Sequence, residues 1–210
     1  MTISVSEAEK MVVEVEARWV SLGRNPDTLY MYDNHVRGSA RVARTIAEKV
    51  GGINPEKAYI SALLHDIAKI DESPESTLGR SHCILGYERL KDIAPDIARS
   101  CLLHEFPLDI IPSYEECREK LWDNRADYDF IVDYAGKIVP EDTDFLVQLA
   151  DLMANKDGLV TIERRVKEWE ERRNAIFPES ITALYKKIKA YFDAKIGGDV
   201  YDLFPDIKRL

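Results

Sequence analysis

Apolar residues recur at helical spacing along most of the chain, as in Ile181, Leu184, Tyr185, Ile188 and Phe192 near its end. No run alternates with the period of two that a half-buried strand shows, so the pattern predicts an all-α fold. Ser6-x-x-Glu9 has the form of a capping box opening a first helix that ends near Gly23. A second helix is expected from Asn34 to Val50, stopped by Gly51-Gly52. Asn54 as N-cap with Pro55 behind it opens a third. The stretch from Ile70 to Arg80 is rich in Asp, Glu, Ser, Pro and Gly and reads as a polar loop. Helices then start at Ser81 and at Pro95-Asp96, the latter reaching His104. Pro107 and Pro112 mark a loop, a second capping box at Ser113-x-x-Glu116 opens a further helix, and the segment 105–125 is a candidate lid. Asp142 to Asn155 forms a strongly apolar helix ending near Gly158. Two charged amphipathic helices follow, the first with Ile162, Val166 and Trp169 as its apolar stripe.

Length and composition narrow this picture. With 210 residues, no long linker and no internal repeat, one domain spanning 1–210 is expected. The net charge of -9 is spread along the chain rather than gathered in a tail. That argues against a nucleic-acid polymer as partner, which wants a basic stripe, but not against a small phosphorylated ligand. The N-terminal MTISVSEAEK has no basic start followed by an apolar segment, and no apolar run approaches the roughly 20 residues that span a bilayer. A soluble, cytoplasmic protein without membrane contact is expected. Cys83, Cys101 and Cys117 lack CxxC spacing and read as buried reduced thiols.

Chemistry concentrates around SALLHDIAKID, residues 61–71, where an apolar helix runs into His65, Asp66 and Lys69. A buried histidine beside an aspartate costs free energy unless something pairs with both. The chain has four histidines, His35, His65, His82 and His104, each on a different predicted helix and each one turn from a small residue: Ser39, Ser61, Gly86 and Ser100. Small neighbours let helix backbones approach closely around one point, as a metal site between helices requires. Asp151 is the one acid within FLVQLADLMA. Imidazoles and carboxylates together suit divalent transition ions. Each residue alone also has an ordinary reading: a satisfied histidine, an Asp151 paired with a buried cation, an Asp66 exposed at a helix end, a Lys69 facing solvent at a helix C-terminus, an Arg80 solvated in its loop. Tyr30, Tyr32, Phe106, Tyr114 and Trp122 are core candidates that could otherwise stack on a base.

The order His35, His65-Asp66, Asp151 resembles the HD superfamily of metal-dependent phosphohydrolases, and HDIAK at 65–69 is a typical form of its doublet. The resemblance covers about 33–160 and implies a helical bundle with its metal site between helices; the apolar stripe of the helices in 161–210 reads as a cap on that core. It implies that His35, His65, Asp66 and Asp151 hold one metal, and that His82 and His104 join a bridging Asp66 at a second. Two divalent transition ions are implied, iron first, with manganese, zinc, cobalt or nickel as alternatives. RSHCILGYERL and CLLHEF resemble segments of small members that cleave dinucleoside tetraphosphates. The expected activity is hydrolysis of a phosphate ester or anhydride of a small molecule, a nucleotide or dinucleoside polyphosphate, by a metal-bridging hydroxide. Asp66 would orient that hydroxide, Lys69 would offset transition-state charge, and Arg80 would be a second phosphate contact. Two other functions share the ligand order: a mixed-valent di-iron oxygenase and a non-catalytic metal-dependent binding module. A homodimer is compatible with the C-terminal helices, although no residue there requires one.

Overall fold

The computed structural model describes residues 3–71, 80–105, 111, 113–115 and 124–210. Among these the chain forms α1 (Val5–Ser21), α2 (Pro26–Val50), α3 (Pro55–Leu64), a 3-10 turn (Lys69–Asp71), α4 (His82–Leu90), α5 (Pro95–Leu103) and α6 (Arg125–Ala135). Then come α7 (Asp142–Leu152), a hairpin of β1 (Ala154–Asn155) and β2 (Gly158–Leu159), α8 (Ile162–Arg173), α9 (Glu179–Ile196) and a 3-10 turn (Val200–Leu203). The fold is all-α, with the two-residue strands as its only sheet among the described residues. The second capping box reaches Glu116, and Phe106, Cys117 and Trp122 also fall outside the described residues, as does most of the expected lid.

Several helix starts differ from the sequence reading. The first capping box is Ser4 with Glu7, two residues before the expected pair, and both reciprocal hydrogen bonds are present. Starting there buries Ile3 just before the cap together with Ala8 in the first turn, a staple that a start at Ser6 would forgo. Helix α2 begins eight residues earlier than Asn34, because Asn25 caps it through Asp27 N and Pro26 supplies a preset first residue. Helix α6, capped by Asn124, was not separated from the loop before it. Helix α7 stops at Leu152 rather than Asn155, since Gly158, at φ 112°, closes the hairpin.

Three apolar clusters hold these elements. Val42 and Ile46 of α2 pack with Leu146 and Leu149 of α7 and with Ile181, Phe192 and Phe204. Val12 and Trp19 of α1 pack with Tyr32 and Val36 of α2 and with Leu63 and Ile67. Cys83, Ile84, Leu102 and Leu103 pack with Tyr128 and Ile131 of α6. The histidines lie along the seam of all three: Val36 follows His35, Leu64 precedes His65, Cys83 follows His82 and Leu103 precedes His104. Asp151 is flanked by Ala150 and Leu152 of the first cluster.

Candidate metal centre

Histidines close α3 and α5 for a backbone reason. The last carbonyls of a helix have no partner within it. His65, the C-cap of α3, folds its ring back so that Nδ1 donates to Ala62 O at 2.6 Å, and His104, the C-cap of α5, does the same to Cys101 O at 2.8 Å. His35 Nδ1 donates to Ala154 O of the hairpin at 3.0 Å. A carbonyl only accepts, so Nδ1 carries a proton in all three rings and Nε2 faces the other way. This is the outer hydrogen bond that orients metal-binding histidines.

The free nitrogens converge with the carboxylates in two groups. In the first, His35 Nε2 lies 3.1 Å from His65 Nε2 and 3.1 Å from Asp151 Oδ1, and Asp66 Oδ2 lies 3.7 Å from His35 Nε2. In the second, His82 Nε2 lies 3.2 Å from His104 Nε2 and 3.0 Å from Asp66 Oδ1, and His104 Nε2 is 3.5 Å from the same oxygen. The two oxygens of Asp66 therefore face different groups. Bonds of about 2.0 to 2.2 Å to one cation place neighbouring donors about 3 Å apart, close to these spacings. The buried Asp66 Oδ1 makes no hydrogen bond despite its imidazole neighbours. Donors that crowd an orphaned oxygen without bonding to it fit a shared cation, because an uncompensated buried carboxylate is costly.

Electrostatics agree. Burial disfavours the charged forms of Asp66 and Asp151, yet the surrounding imidazoles, with Lys69 also acting on Asp66, hold both carboxyls well below the ordinary range. Burial also lowers the pKa of His65, keeping its ring neutral as a metal ligand must be.

Close approach of α4 and α5 depends on Gly86, where a Cβ would meet Cys101 Cβ at 3.0 Å. Gly38 plays the same part between α2 and the hairpin, where a Cβ would meet Ala154 Cβ at 3.1 Å. Ser39 and Ser61 are fully buried, and Ser39 Oγ donates to His35 O at 2.9 Å.

Lys69, in the 3-10 turn after the doublet, brings Nζ to 3.1 Å from His82 Nδ1 and lines an open cleft with His35, Asp66, His104 and Asp151. Arg80 lines it too, while its Nε donates to Asp127 Oδ1 at 2.6 Å. Tyr32 is core, stacked on Trp19, whereas Tyr30 is exposed.

Sequence reading missed three residues here. Buried Asp127 of α6 accepts from both Arg80 and the Ser81 backbone N–H, at 2.7 Å for the latter, and so fixes the start of the helix carrying His82. Cys83 Sγ is 3.6 Å from His82 Nε2, and Glu105 Oε1 is 3.4 Å from the same nitrogen. His82, Cys83, His104 and Glu105 thus form a further group able to hold a metal. Adjacency to His82 and His104 was the available signal for Cys83 and Glu105; Asp127 gave none.

An all-α seam gathers four histidines and two aspartates into a largely buried donor cluster able to hold metal. The HD domain family model matches residues 32–156, and the chain belongs to that family, whose members are generally metal-dependent hydrolases. Neither a curated protein nor a solved structure matches it. No helix among the described residues is long and apolar enough to cross a membrane.

Proposed function

We propose that the protein hydrolyses a phosphate ester or anhydride of a small molecule, a nucleotide or dinucleoside polyphosphate, with two divalent transition ions as cofactors. The observation that carries this reading is Asp66, whose two oxygens face two separate donor groups at one end of a cleft lined by Lys69 and Arg80. His35, His65, Asp151 and Asp66 would hold one ion, and His82, His104 and Asp66 the other. When bound, such ions supply Lewis acidity and a nucleophilic water at neutral pH.

The chain's own residues do the rest. Nδ1 hydrogen bonds fix three imidazoles before substrate arrives. The Lys69 ammonium offsets the charge that develops on the phosphoryl oxygens, and Arg80, held by Asp127, offers its remaining guanidinium N–H groups to a neighbouring phosphate. The cleft, about 1420 Å³, exceeds the roughly 300 to 1,000 Å³ usual for small-ligand pockets, which suits an extended substrate.

The test is elemental analysis of protein purified without added metal, paired with phosphate release from nucleotides and dinucleoside polyphosphates in the presence of Mn, Fe, Co or Zn. About two metal equivalents are expected, with release from one nucleotide class. Asp66→Ala and His82→Ala should lose both metal and activity. Two irons, oxygen uptake and no phosphate release would instead select the oxygenase, and no bound metal would overturn the assignment.

A further inference from the structure

The cleft does not end at the histidines. It continues past Asn155, Lys156 and Asp157 of the hairpin to α8, where Arg165, Trp169, Arg172 and Arg173 line it. The two regions are tied together: Ala154 holds the His35 ring, and the next residue, Asn155, donates through Nδ2 to Glu168 of α8 at 2.5 Å. Arg165 and Arg172 are seven positions apart, so they share a helix face about two turns, or roughly 10 Å, apart.

None of the three guanidinium groups makes a hydrogen bond or ion pair among the described residues, whereas the adjacent Arg164 is bound to Glu168 at 3.0 Å. Acids are not scarce in a chain with 38 Asp and Glu against 29 Lys and Arg. Arg165 and Arg173 both repel Arg172. Desolvation by neighbouring groups, and after it the charges of Arg165 and Arg173, push the pKa of the exposed Arg172 down against the opposing charge of Glu168. A cluster of cations that repel, face a cleft and make no hydrogen bond or ion pair among the described residues, with Glu168 offsetting Arg172 only at longer range, is arranged for an anion from outside. The planar guanidinium fork matches phosphate oxygens two at a time.

We propose that Arg165, Arg172 and Arg173 form a distal subsite for the phosphate chain of a polyphosphorylated ligand whose reacting phosphate lies at the histidine end of the same cleft. The inference rests on the phosphohydrolase reading for the ligand's orientation, but not for its binding. It also gives the segment after residue 160 a role in selecting for phosphate number.

The test is calorimetric titration of the full chain, stripped of metal, with orthophosphate and with linear inorganic tripolyphosphate at fixed salt. Lys69 and Arg80 remain in the metal-free protein, so the share of the α8 arginines is read from the difference between wild type and variant. Tripolyphosphate should bind at least about tenfold more tightly than orthophosphate, the scale of one or two charge-assisted contacts. Arg165→Gln with Arg172→Gln should remove most of that preference, while Lys167→Gln, on an exposed position of the same helix, should preserve it. Adenosine triphosphate is the companion ligand: tighter binding than tripolyphosphate assigns the subsite to nucleotides, equal binding assigns it to the phosphate chain alone, and both support it. An unchanged preference in the double variant, or none in the wild type, overturns the subsite.

With metal-loaded protein, the double variant should raise KM for substrates of three or more phosphates and leave KM for a phosphate monoester and both kcat values in place. An equal rise for both substrates also overturns it. Failure of phosphate release with every substrate, with the tripolyphosphate preference intact, removes the phosphohydrolase reading and leaves the subsite standing.

Discussion

The His35 ring is oriented by the Ala154 carbonyl, which accepts from Nδ1 at 3.0 Å across 119 positions of sequence. The first histidine of the centre is thus seated by a hairpin that follows the last of its carboxylates, Asp151. Asn34 adds a second tie, its Nδ2 donating to Lys156 O at 2.9 Å.

Gly38→Ala tests that seating. The added methyl would meet Ala154 Cβ at 3.1 Å and push the hairpin from α2. Gain of helix propensity, up to about 1 kcal/mol, offsets the crowding, so stability should change little. Metal affinity should still fall by about tenfold or more, as it does when a histidine loses its outer hydrogen bond. Thermal melting and metal titration separate the two effects.

Gly86→Ala acts on the other half of the centre. A Cβ there would meet Cys101 Cβ at 3.0 Å and Sγ at 3.3 Å, both fully buried. Overpacking of about 1 to 3 kcal/mol should exceed the propensity gain and lower the melting temperature. Separating α4 from α5 also separates His82 from His104, so metal content should fall more in this variant than in a Leu90→Val control of similar stability.

Metal uptake should depend on pH in a defined direction. Burial alone would lower the pKa values of His82 and His104. Negative groups around them, Cys83 and Asp66 for both and Glu105 for His82, outweigh it and hold both well above the ordinary 6.5. In the metal-free protein both rings therefore hold their second proton to higher pH than a free imidazole does, and a cation must displace it. Affinity should rise as pH rises above about 6.5, with proton release visible as a dependence of the calorimetric enthalpy on buffer. Their raised values stabilise the metal-free fold below the unfolded-state pKa, and this is lost as pH rises through the folded values. Uptake that is independent of pH, with no proton release, would contradict this assignment.

Asp127→Ala removes the acceptor of both Arg80 and the Ser81 N–H. A part-buried backbone donor left unpaired costs up to about 1 to 3 kcal/mol, and Arg80, freed from its anchor, gains rotamer freedom. Stability should fall by that amount, and KM for a phosphorylated substrate should rise more than kcat falls. Chemical denaturation and steady-state kinetics check both.

The centre was legible because its residues are rare and its doublet interrupts an apolar helix: His65 and Asp66 stand out against SALL, and Asp151 against its apolar neighbours. The small residues beside the histidines were equally visible, and at Gly86 the close approach they imply is the geometry observed. The hairpin was hidden because two residues per strand carry no periodicity. Asp127 was hidden because an acid in the first turn of a helix is ordinary, and only the fold reveals that it is buried against Arg80. The shift from Ser6 to Ser4 has a similar origin. Two overlapping caps compete locally, and the burial of Ile3, a tertiary effect, decides between them.

Val160, just past the hairpin, pairs with Lys208 in a parallel bridge, and Lys208 Nζ donates to Asp157 O at 2.7 Å. The hairpin that seats His35 is therefore itself clasped by residues far along the chain, so the centre has a high contact order. Local helices can form early, but this clasp must wait for distant segments to meet. During synthesis, a metal ion arriving before residue 208 has emerged would meet His65 and Asp66 beside a His35 still free to turn, so on the proposed reading metal uptake is expected to follow folding of the C-terminal segment.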